Sequence, residues 1–155
     1  MPAAATSLPA DAPAPPKPRG CTFLRLRKVA RRMTQRYDAH LQPGGLRITQ
    51  FSLLAALAGD EAFTVSSLAA RMAMDRTTLT RNLKPLADRG LLQLGTCEDA
   101  RCRSVALTNA GRIAFAATLP LWRQAQKEML ALVGAADLER LHQLLDSTLA
   151  LLEHE

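Results

Sequence analysis

Apolar side chains recur at every third or fourth position along most of the chain after Gly20. This spacing puts them on one face of an α-helix, so it predicts helices over most of the sequence. Two short apolar segments, at residues 91–94 and 103–107, are strand candidates instead, and a polar loop separates them. We therefore expect a mainly α fold that carries one small β-hairpin.

The first 18 of the 155 residues hold six alanines and six of the nine prolines. A segment of this composition has little apolar surface to bury, so residues 1–20 are predicted to form a disordered arm. The arm lacks the basic start and continuous apolar stretch of a secretory signal. No stretch of the chain reaches the roughly 18 apolar residues of a membrane span. Together with an odd number of cysteines, these features predict a cytoplasmic protein.

Polar residues that cap helices divide the chain into six predicted helical segments. The side-chain oxygen of a cap accepts a hydrogen bond from the first turn of the helix. The predicted caps are Thr49, Thr64, Asp75 and Thr108. The predicted helices cover about residues 21–41, 51–57, 64–72, 75–89, 108–133 and a final stretch after Gly134. Pro120 is expected to kink the fifth helix and Pro85 to bend the fourth, because proline lacks a backbone N–H.

The third and fourth helices are separated only by Ala73 and Met74, which is the spacing of a helix-turn-helix motif. In the fourth helix, Leu79, Leu83 and Leu86 form an inner stripe. The opposite side carries hydroxyl and basic groups, which bind phosphates and read bases in a major groove. The candidate DNA contacts of the motif are Thr64, Ser66, Arg76, Thr77, Thr78, Arg81 and Lys84. Taken alone, the outer side of the helix fits a solvated face equally well.

The loop between the two strand candidates supplies a second candidate contact with DNA. It contains Asp99 and Arg101, and Arg103 begins the strand that follows. An arginine on a protruding hairpin suits a narrow minor groove, where the negative potential is enhanced. A charge-assisted hydrogen bond from Arg101 to the Asp99 carboxylate could orient the arginine. The alternative is an ordinary polar turn with incidental charges.

Two stretches, LAARMAMDRTTLTRNLKPLADRGLL and EDARCRSVALTNAGR, together resemble the multiple-antibiotic-resistance regulator (MarR) family of winged helix-turn-helix transcription factors. The most specific part of the match is a D-x-R sequence at 99–101 followed by L-T-x-x-G at 107–111. The stretch GLRITQFSLLAAL, residues 45–57, also resembles the second helix of the family. The resemblance covers about residues 21–154.

The resemblance implies a MarR-type domain over residues 21–155, with a winged helix-turn-helix lobe at about 46–110. The helices at about 21–41 and 109–154 would then join two chains into a homodimer on a pseudo-palindromic double-stranded DNA site. It further implies a repressor that a small anionic or aromatic ligand releases from DNA. The leucine stripe of the last helix independently calls for a covering helix, either from a second chain or from the chain's own first helix.

By the same resemblance, several side chains are candidates for an effector site. Arg36, Tyr37 and His40 lie near the end of the first helix, and Trp122 follows Pro120. The alternatives are an ordinary helix-end histidine and a bulky tryptophan of the core. Metal binding is not expected, because the histidines are scattered and no CxxC or H-x-x-x-H spacing occurs.

The cysteines raise an alternative, thiol-based redox sensing. Cys21 stands at the start of the first helix near Arg19 and Arg25, which would favour its thiolate. A hydroperoxide-sensing branch of the MarR family carries a reactive cysteine at a similar place, beside several tyrosines, but Tyr37 is the only tyrosine of this chain. Cys97 and Cys102 flank the hairpin loop and could form a bridge across it. Unreactive thiols are the alternative for all three.

Other classes of function find less support in the sequence. There is no nucleophile elbow, no phosphate-binding glycine loop and no paired His/carboxylate motif, so neither an enzyme nor a cofactor is expected. A winged helix that binds proteins rather than DNA is a further alternative. Apolar or acidic groups would be more typical of its outer face than Arg81, Lys84 and Arg101. The net charge of +6 also favours a polyanionic partner.

Overall fold

The computed structural model describes residues 20–59, 63–96 and 103–153. The helices are α1 (Thr22–Leu41), α2 (Ile48–Ala56), α3 (Val65–Arg71), α4 (Arg76–Asp88), α5 (Asn109–Val133) and α6 (Ala135–Glu153), with one 3₁₀ turn at Gln42–Gly44. The strands are β1 (Phe63–Thr64), β2 (Leu92–Thr96) and β3 (Arg103–Leu107). This order confirms the predicted mainly α fold with a hairpin after the fourth helix. The predicted arm lies almost entirely outside the described residues.

Three of the four predicted helix caps are confirmed. Thr64 accepts a hydrogen bond from Ser67 N–H at 2.9 Å, and Asp75 accepts one from Thr78 N–H at 2.8 Å. The side chain of Thr108 accepts a bond from the first turn of α5 in the same way. These caps fix where α3, α4 and α5 begin, as the residue types predicted.

The prediction of Thr49 as the cap of the second helix is wrong. The cap is Arg47, two residues earlier, and α2 begins at Ile48, whose N–H donates to Asp38 Oδ1 of α1 at 2.7 Å. The Arg47 N–H donates to Gln50 Oε1 at 3.0 Å. A carboxylate from another helix therefore satisfies a donor at this helix start, and such a long-range partner leaves no local sequence signal.

The strands form a three-stranded antiparallel sheet in the order β1-β3-β2. The predicted hairpin is confirmed, although its first strand runs over Leu92–Thr96 rather than 91–94. β1 was not predicted, because two residues are too short to show an alternating pattern. Its Phe63 pairs with Val105, which joins the start of α3 to the hairpin.

One large apolar core holds α2, α3, α4 and the sheet together. Its buried members come from all of these elements. They are Leu46, Leu53, Leu54, Leu57, Val65, Leu68, Ala69, Leu79, Leu83, Leu86, Leu91, Leu92, Val105 and Leu107. Because α2 and α4 share this core, the position of one relative to the other is fixed by packing.

The long helices share a much smaller buried apolar cluster. Their buried apolar cluster consists of Tyr37, Ala125 and Met129, from α1 and α5. α5 is continuous through Pro120, as α4 is through Pro85. Within the described part of the chain, no helix has the length and apolar character that crossing a membrane requires.

Candidate nucleic-acid interface

The turn between α3 and α4 is short and tightly bonded. Ala73 has a positive φ of 49°, which is unusual for a residue with a Cβ. The Met74 N–H donates to the carbonyl of Ala69 at 2.9 Å and so closes the end of α3. α4 then starts two residues later, at Arg76. This geometry gives the two helices the arrangement that the spacing predicts.

The inner stripe of α4 is confirmed. Leu79, Leu83 and Leu86 are each at most 1% exposed and belong to the large core. The side chains of Arg76, Thr77, Arg81 and Lys84 are exposed on the other sides of the helix. α4 is therefore anchored along one side and presents hydroxyl and basic groups along the other.

Two of the hydroxyl groups on α4 are already engaged. The Thr78 hydroxyl donates to Asp75 Oδ2 at 2.6 Å, and the Thr80 hydroxyl donates to the carbonyl of Arg76 at 2.7 Å. The hydrogen bond from the Thr78 hydroxyl, followed by that from its backbone N–H, lowers the pKa of the Asp75 carboxyl. Thr78 thus serves the cap of α4 and can offer only its oxygen lone pairs to a ligand. Thr77 and Arg81 remain the more available candidates.

An ion pair on the outer side of α4 was missed from the sequence. Lys84 Nζ lies 2.9 Å from Asp88 Oδ2 and 3.1 Å from Oδ1, one helical turn away. The four-residue spacing of a lysine and an aspartate could have revealed it. The pair reduces the net positive charge of this surface at its C-terminal end.

The two candidate contacts at the start of α3 differ. The Thr64 side chain is committed to a capping box with Ser67, since each side chain accepts the backbone N–H of the other residue. Ser66 is exposed on the first turn of α3. Ser66 is therefore better placed than Thr64 to meet a phosphate, while Thr64 fixes the helix start.

The hairpin forms a groove with α4, which we name the hairpin groove. It has a volume of about 210 Å³ and an apolar floor with arginines from both elements. Its lining residues are Val65, Arg76, Thr80, Leu83, Leu94 and Arg103. Arg76 and Arg103 are thus brought to one groove from distant places in the chain. Asp99 and Arg101 lie outside the described residues.

The L-T-x-x-G sequence at 107–111 holds the base of the hairpin. The Thr108 hydroxyl donates to the carbonyl of Gly90 at 2.7 Å, while its oxygen accepts from Gly111 N–H at 3.0 Å. A Cβ at Gly111 would overlap the carbonyl oxygen of Leu91. The L-T-x-x-G motif therefore joins α5 to the segment between α4 and β2. Its Gly111 leaves no room for a larger side chain.

The chain was also compared with known proteins. A family profile described as "Helix-turn-helix domain" matches residues 49–94. The transcriptional regulator MosR of M. tuberculosis, crystallised in complex with DNA, is 40% identical, with a TM-score of 0.71 over 83% of this chain and 98% of MosR. The chain belongs to the MarR family of winged helix-turn-helix transcriptional regulators.

More distant structures of the family show the same fold. A mutant of E. coli MarR, complexed with operator DNA, is 22% identical with a TM-score of 0.74 over 82% of this chain and 92% of MarR. CouR from Rhodococcus jostii, bound to p-coumaroyl-CoA, is 21% identical with a TM-score of 0.69 over 84% of this chain and 91% of CouR. A search of curated proteins found no match. MosR and MarR are transcriptional regulators.

In this MarR-family chain, the effector candidates lie where α1, α5 and α2 pack together. The Tyr37 hydroxyl donates to Gln126 Oε1 at 2.6 Å, and burial raises the pKa of Tyr37. His40 Nε2 lies 2.9 Å from Glu128 Oε2, and Trp122 stacks on Phe51 with ring centroids 5.8 Å apart. These contacts give Tyr37, His40 and Trp122 structural roles in joining the helices, and their roles in ligand binding stay predictions.

Arg36 lies one turn before His40 on α1 and remains exposed. It borders a cavity of about 270 Å³ between α1 and α5, which we name the α1–α5 cavity. Its lining residues are Lys28, Val29, Arg32, Met33, Arg36, Met129 and Leu132. Three basic side chains therefore surround an apolar floor.

Among the cysteine candidates, Cys21 is exposed and caps α1, since its Sγ accepts a hydrogen bond from Leu24 N–H at 3.4 Å. Cys97 and Cys102 lie outside the described residues. Redox sensing at these positions stays a prediction.

Proposed function

We propose that this protein is a homodimeric regulator that binds a specific double-stranded DNA site with α4 in the major groove. The observation that carries the proposal is the division of α4 into a buried leucine stripe and an exposed basic side. A B-DNA major groove admits a helix, and its base edges and phosphates bind hydroxyl and cationic groups. The DNA complex of MosR, at 40% identity, supports the same partner for this chain.

The roles of the DNA contacts follow from their positions. Arg81 lies on the outer side of α4 and is free to form two hydrogen bonds with a guanine, while Thr77 lies one turn before it. Arg76 and Arg103 border the hairpin groove, where a phosphate backbone would pass. Arg101, which lies in the sequence between β2 and β3 and outside the described residues, is assigned to the minor groove on the resemblance alone.

A second copy of the chain is proposed to cover α6. No described residue of this 19-residue helix is buried. Its leucine stripe is left in water: Leu145 is 42% exposed, Leu149 45% and Leu152 66%. On α1, Phe23 is 69% exposed and Val29 is 50% exposed. Apolar surface of this extent is costly to leave in water and typically marks an interface. We therefore assign residues 21–41 and 109–154 to dimerisation, and residues 46–110 to DNA binding.

We further propose that the protein is a repressor released by a small anionic or aromatic effector. The α1–α5 cavity supports this proposal, because it combines an apolar floor with Lys28, Arg32 and Arg36. The complex of CouR with an aromatic thioester points to ligands of the same class. Titration with phenolic acids should quench Trp122 fluorescence and release bound DNA. Quenching without release would argue against an effector.

The test of DNA binding is a fluorescence anisotropy titration with the duplex upstream of the protein's own gene. Wild-type protein should keep its preference over a scrambled duplex as salt rises, since non-specific binding depends most on phosphate contacts. Arg81→Ala should cost about 1–3 kcal/mol on the specific site and little on the scrambled one. Arg123→Ala, on the exposed face of α5, is the control and should leave both affinities unchanged. Equal affinity of wild-type protein for both duplexes would contradict specific regulation.

A further inference from the structure

α4 lies between two grooves. The hairpin groove runs along one flank. A second groove, of about 390 Å³, runs along the opposite flank between α4 and the start of α2, and we name it the α2 groove. It is lined by Arg47, Thr49, Gln50, Leu53, Arg81, Asn82 and Pro85. The α2 side of this groove has no role in the contacts assigned so far.

We propose that the α2 groove binds a backbone phosphate of the DNA through Arg47, beside Arg81, which keeps its role at a base edge. The proposal rests on the function proposed above, namely that α4 lies in a major groove. A helix in that position is bordered by a phosphate backbone on each side, because the two strands form the walls of the groove. The hairpin groove would face one backbone, and the α2 groove would face the other.

The charges that line the α2 groove fit a phosphate. Two arginines line it, and none of its lining residues is acidic. Both arginines are exposed, and neither takes part in the ion pairs of residues 20–59, 63–96 and 103–153, which are His40–Glu128 and Lys84–Asp88. By contrast, Arg89 is committed to the protein, since it donates to the carbonyl of Gly45 at 2.9 Å. Arg47 is therefore free to bind the phosphate, and Arg81 adds positive charge to the same groove while it stays free for a base edge.

The neighbouring groups of the α2 groove add neutral donors. Thr49, which does not cap α2, exposes its hydroxyl. Gln50 Oε1 accepts the Arg47 N–H, so the amide nitrogen of Gln50 is left to donate. Hydroxyl and amide donors beside arginines are the usual partners of DNA phosphates.

The two walls of the groove are held at a fixed separation. Leu53, on the groove floor, is 1% exposed and packs in the same core as Leu79 and Leu83 of α4. Asp38 holds the Ile48 N–H at the start of α2 at 2.7 Å. The protein would thus lose little freedom of the backbone when a phosphate enters the groove.

The experiment measures how strongly salt weakens binding to the upstream duplex and to a scrambled duplex of equal length. Removing one phosphate neutralisation lowers the slope of log affinity against log salt by about 0.9. Arg47→Gln, which keeps a polar side chain but removes its positive charge, should therefore lower the slope by about 1.8 for a dimer. Affinity for both duplexes should fall several-fold and by equal factors, because a phosphate carries no sequence information.

Two variants separate a phosphate contact from a structural role or a general charge effect. Arg47→Lys should restore most of the slope, which a packing defect would not do. Arg123→Gln removes the same charge from α5, which does not line the groove, and should leave the slope unchanged. Circular dichroism should show equal thermal midpoints for all variants.

The results distinguish this inference from the proposed function. If Arg47→Gln leaves the slope unchanged while wild-type protein still binds its specific site, the α2 groove does not bind a phosphate. The proposed DNA-binding function would be unaffected. A loss confined to the upstream duplex would also overturn the inference, since Arg47 would then read sequence. Wild-type protein that binds no duplex would overturn both.

Discussion

The helix-turn-helix lobe and the long helices bury their apolar side chains to very different extents. In the lobe, α2, α3, α4 and the sheet share one continuous core, and the inner leucines of α4 are at most 1% exposed. In the long helices, the buried cluster contains only Tyr37, Ala125 and Met129. The lobe therefore buries its apolar side chains within one chain, whereas the long helices leave many of theirs exposed.

The two regions consequently have different requirements for stability. A closed core is stabilised by burial inside the chain, at about 25 cal/mol for each Å² of apolar surface. The leucines of α6 can gain the same stabilisation only from a partner helix. Substitutions in the lobe should then act on folding or DNA contacts, and substitutions on α6 should act on association.

The largest expected effect comes from breaking association. Leu145→Glu combined with Leu149→Glu places four charges in a dimer interface and removes four buried leucines, each worth about 1.5–3 kcal/mol. The dimer dissociation constant should rise by at least about 10⁴-fold, since four such losses amount to about 6 kcal/mol or more. Light scattering coupled to size-exclusion chromatography measures the oligomeric state.

The matched control adds the same charges elsewhere on α6. Ser147→Glu with Ala150→Glu lies on the other side of the helix from Leu145 and Leu149 and should leave the dimer intact. Dissociation in both double variants, or in neither, would contradict the assignment of the leucine stripe to the interface. The lobe of the dissociated chain should keep its helical circular dichroism signal.

The next largest effect concerns the lobe itself. Gly111→Ala puts a Cβ against the carbonyl oxygen of Leu91, where the backbone on both sides is held by Thr108. Overpacking of this kind costs about 1–3 kcal/mol, so the thermal midpoint should fall by several degrees at fixed protein concentration. Arg112→Ala, at the exposed neighbouring position, should change it little. Equal midpoints for Gly111→Ala and wild-type protein would show that the backbone at the base of the hairpin can shift to accommodate the Cβ without loss of stability.

A smaller effect is expected from the Lys84–Asp88 pair. Asp88→Asn removes the carboxylate that holds Lys84 Nζ at 2.9 Å and frees the ammonium for a phosphate. Affinity for any duplex should rise about two- to tenfold, and the salt slope should steepen by about 0.9 for each protomer. Stability should change little, because both partners are exposed and such pairs contribute about 0.3–0.5 kcal/mol.

The control for this substitution is Asp137→Asn, which removes one negative charge from α6. It should not alter the salt slope. If both variants tighten binding equally, the effect arises from net charge, and Lys84 does not reach the DNA.

The local signals of the lobe were strong enough to predict most of its structure. Thr64, Asp75 and Thr108 are caps because their own side chains accept bonds three residues ahead, which the sequence shows directly. Thr49 was assigned wrongly because the start of α2 depends on Asp38, which reaches it from another helix. β1 was missed for a similar reason, since Phe63 becomes a strand only by pairing with Val105.

The site was predictable to the extent that it depends on helix periodicity. The spacing of Leu79, Leu83 and Leu86 determined which side of α4 faces outward, and hence the exposure of Thr77 and Arg81. The α2 groove was not predictable, because no pattern in the sequence relates Arg47 to Arg81. Tertiary packing alone brings these arginines to one groove.

The smallest expected effect compares one carboxylate from each region. Hydrogen bonds from Thr78 lower the pKa of Asp75 in the lobe, and a hydrogen bond from Gln124, with His40 as a further cause, lowers the pKa of Glu128 in the long helices. A carboxyl whose pKa is lower in the folded state stabilises the fold above its unfolded pKa, and this contribution is lost as pH falls through the folded value. The ordinary values are 3.8 for Asp75 and 4.5 for Glu128.

Asp75→Asn and Glu128→Gln keep the shape of each side chain but remove its titration. The difference in thermal midpoint between wild-type protein and each variant should be constant above about pH 5 and should shrink as pH falls towards 3. For Glu128 the shrinkage should begin at the higher pH, because its ordinary pKa is higher. A difference that stays constant down to pH 3 would mean that the charge of that carboxylate does not stabilise its region. A response of Asp75 alone would place the acid sensitivity at the capped start of α4 in the lobe rather than in the contact between α1 and α5.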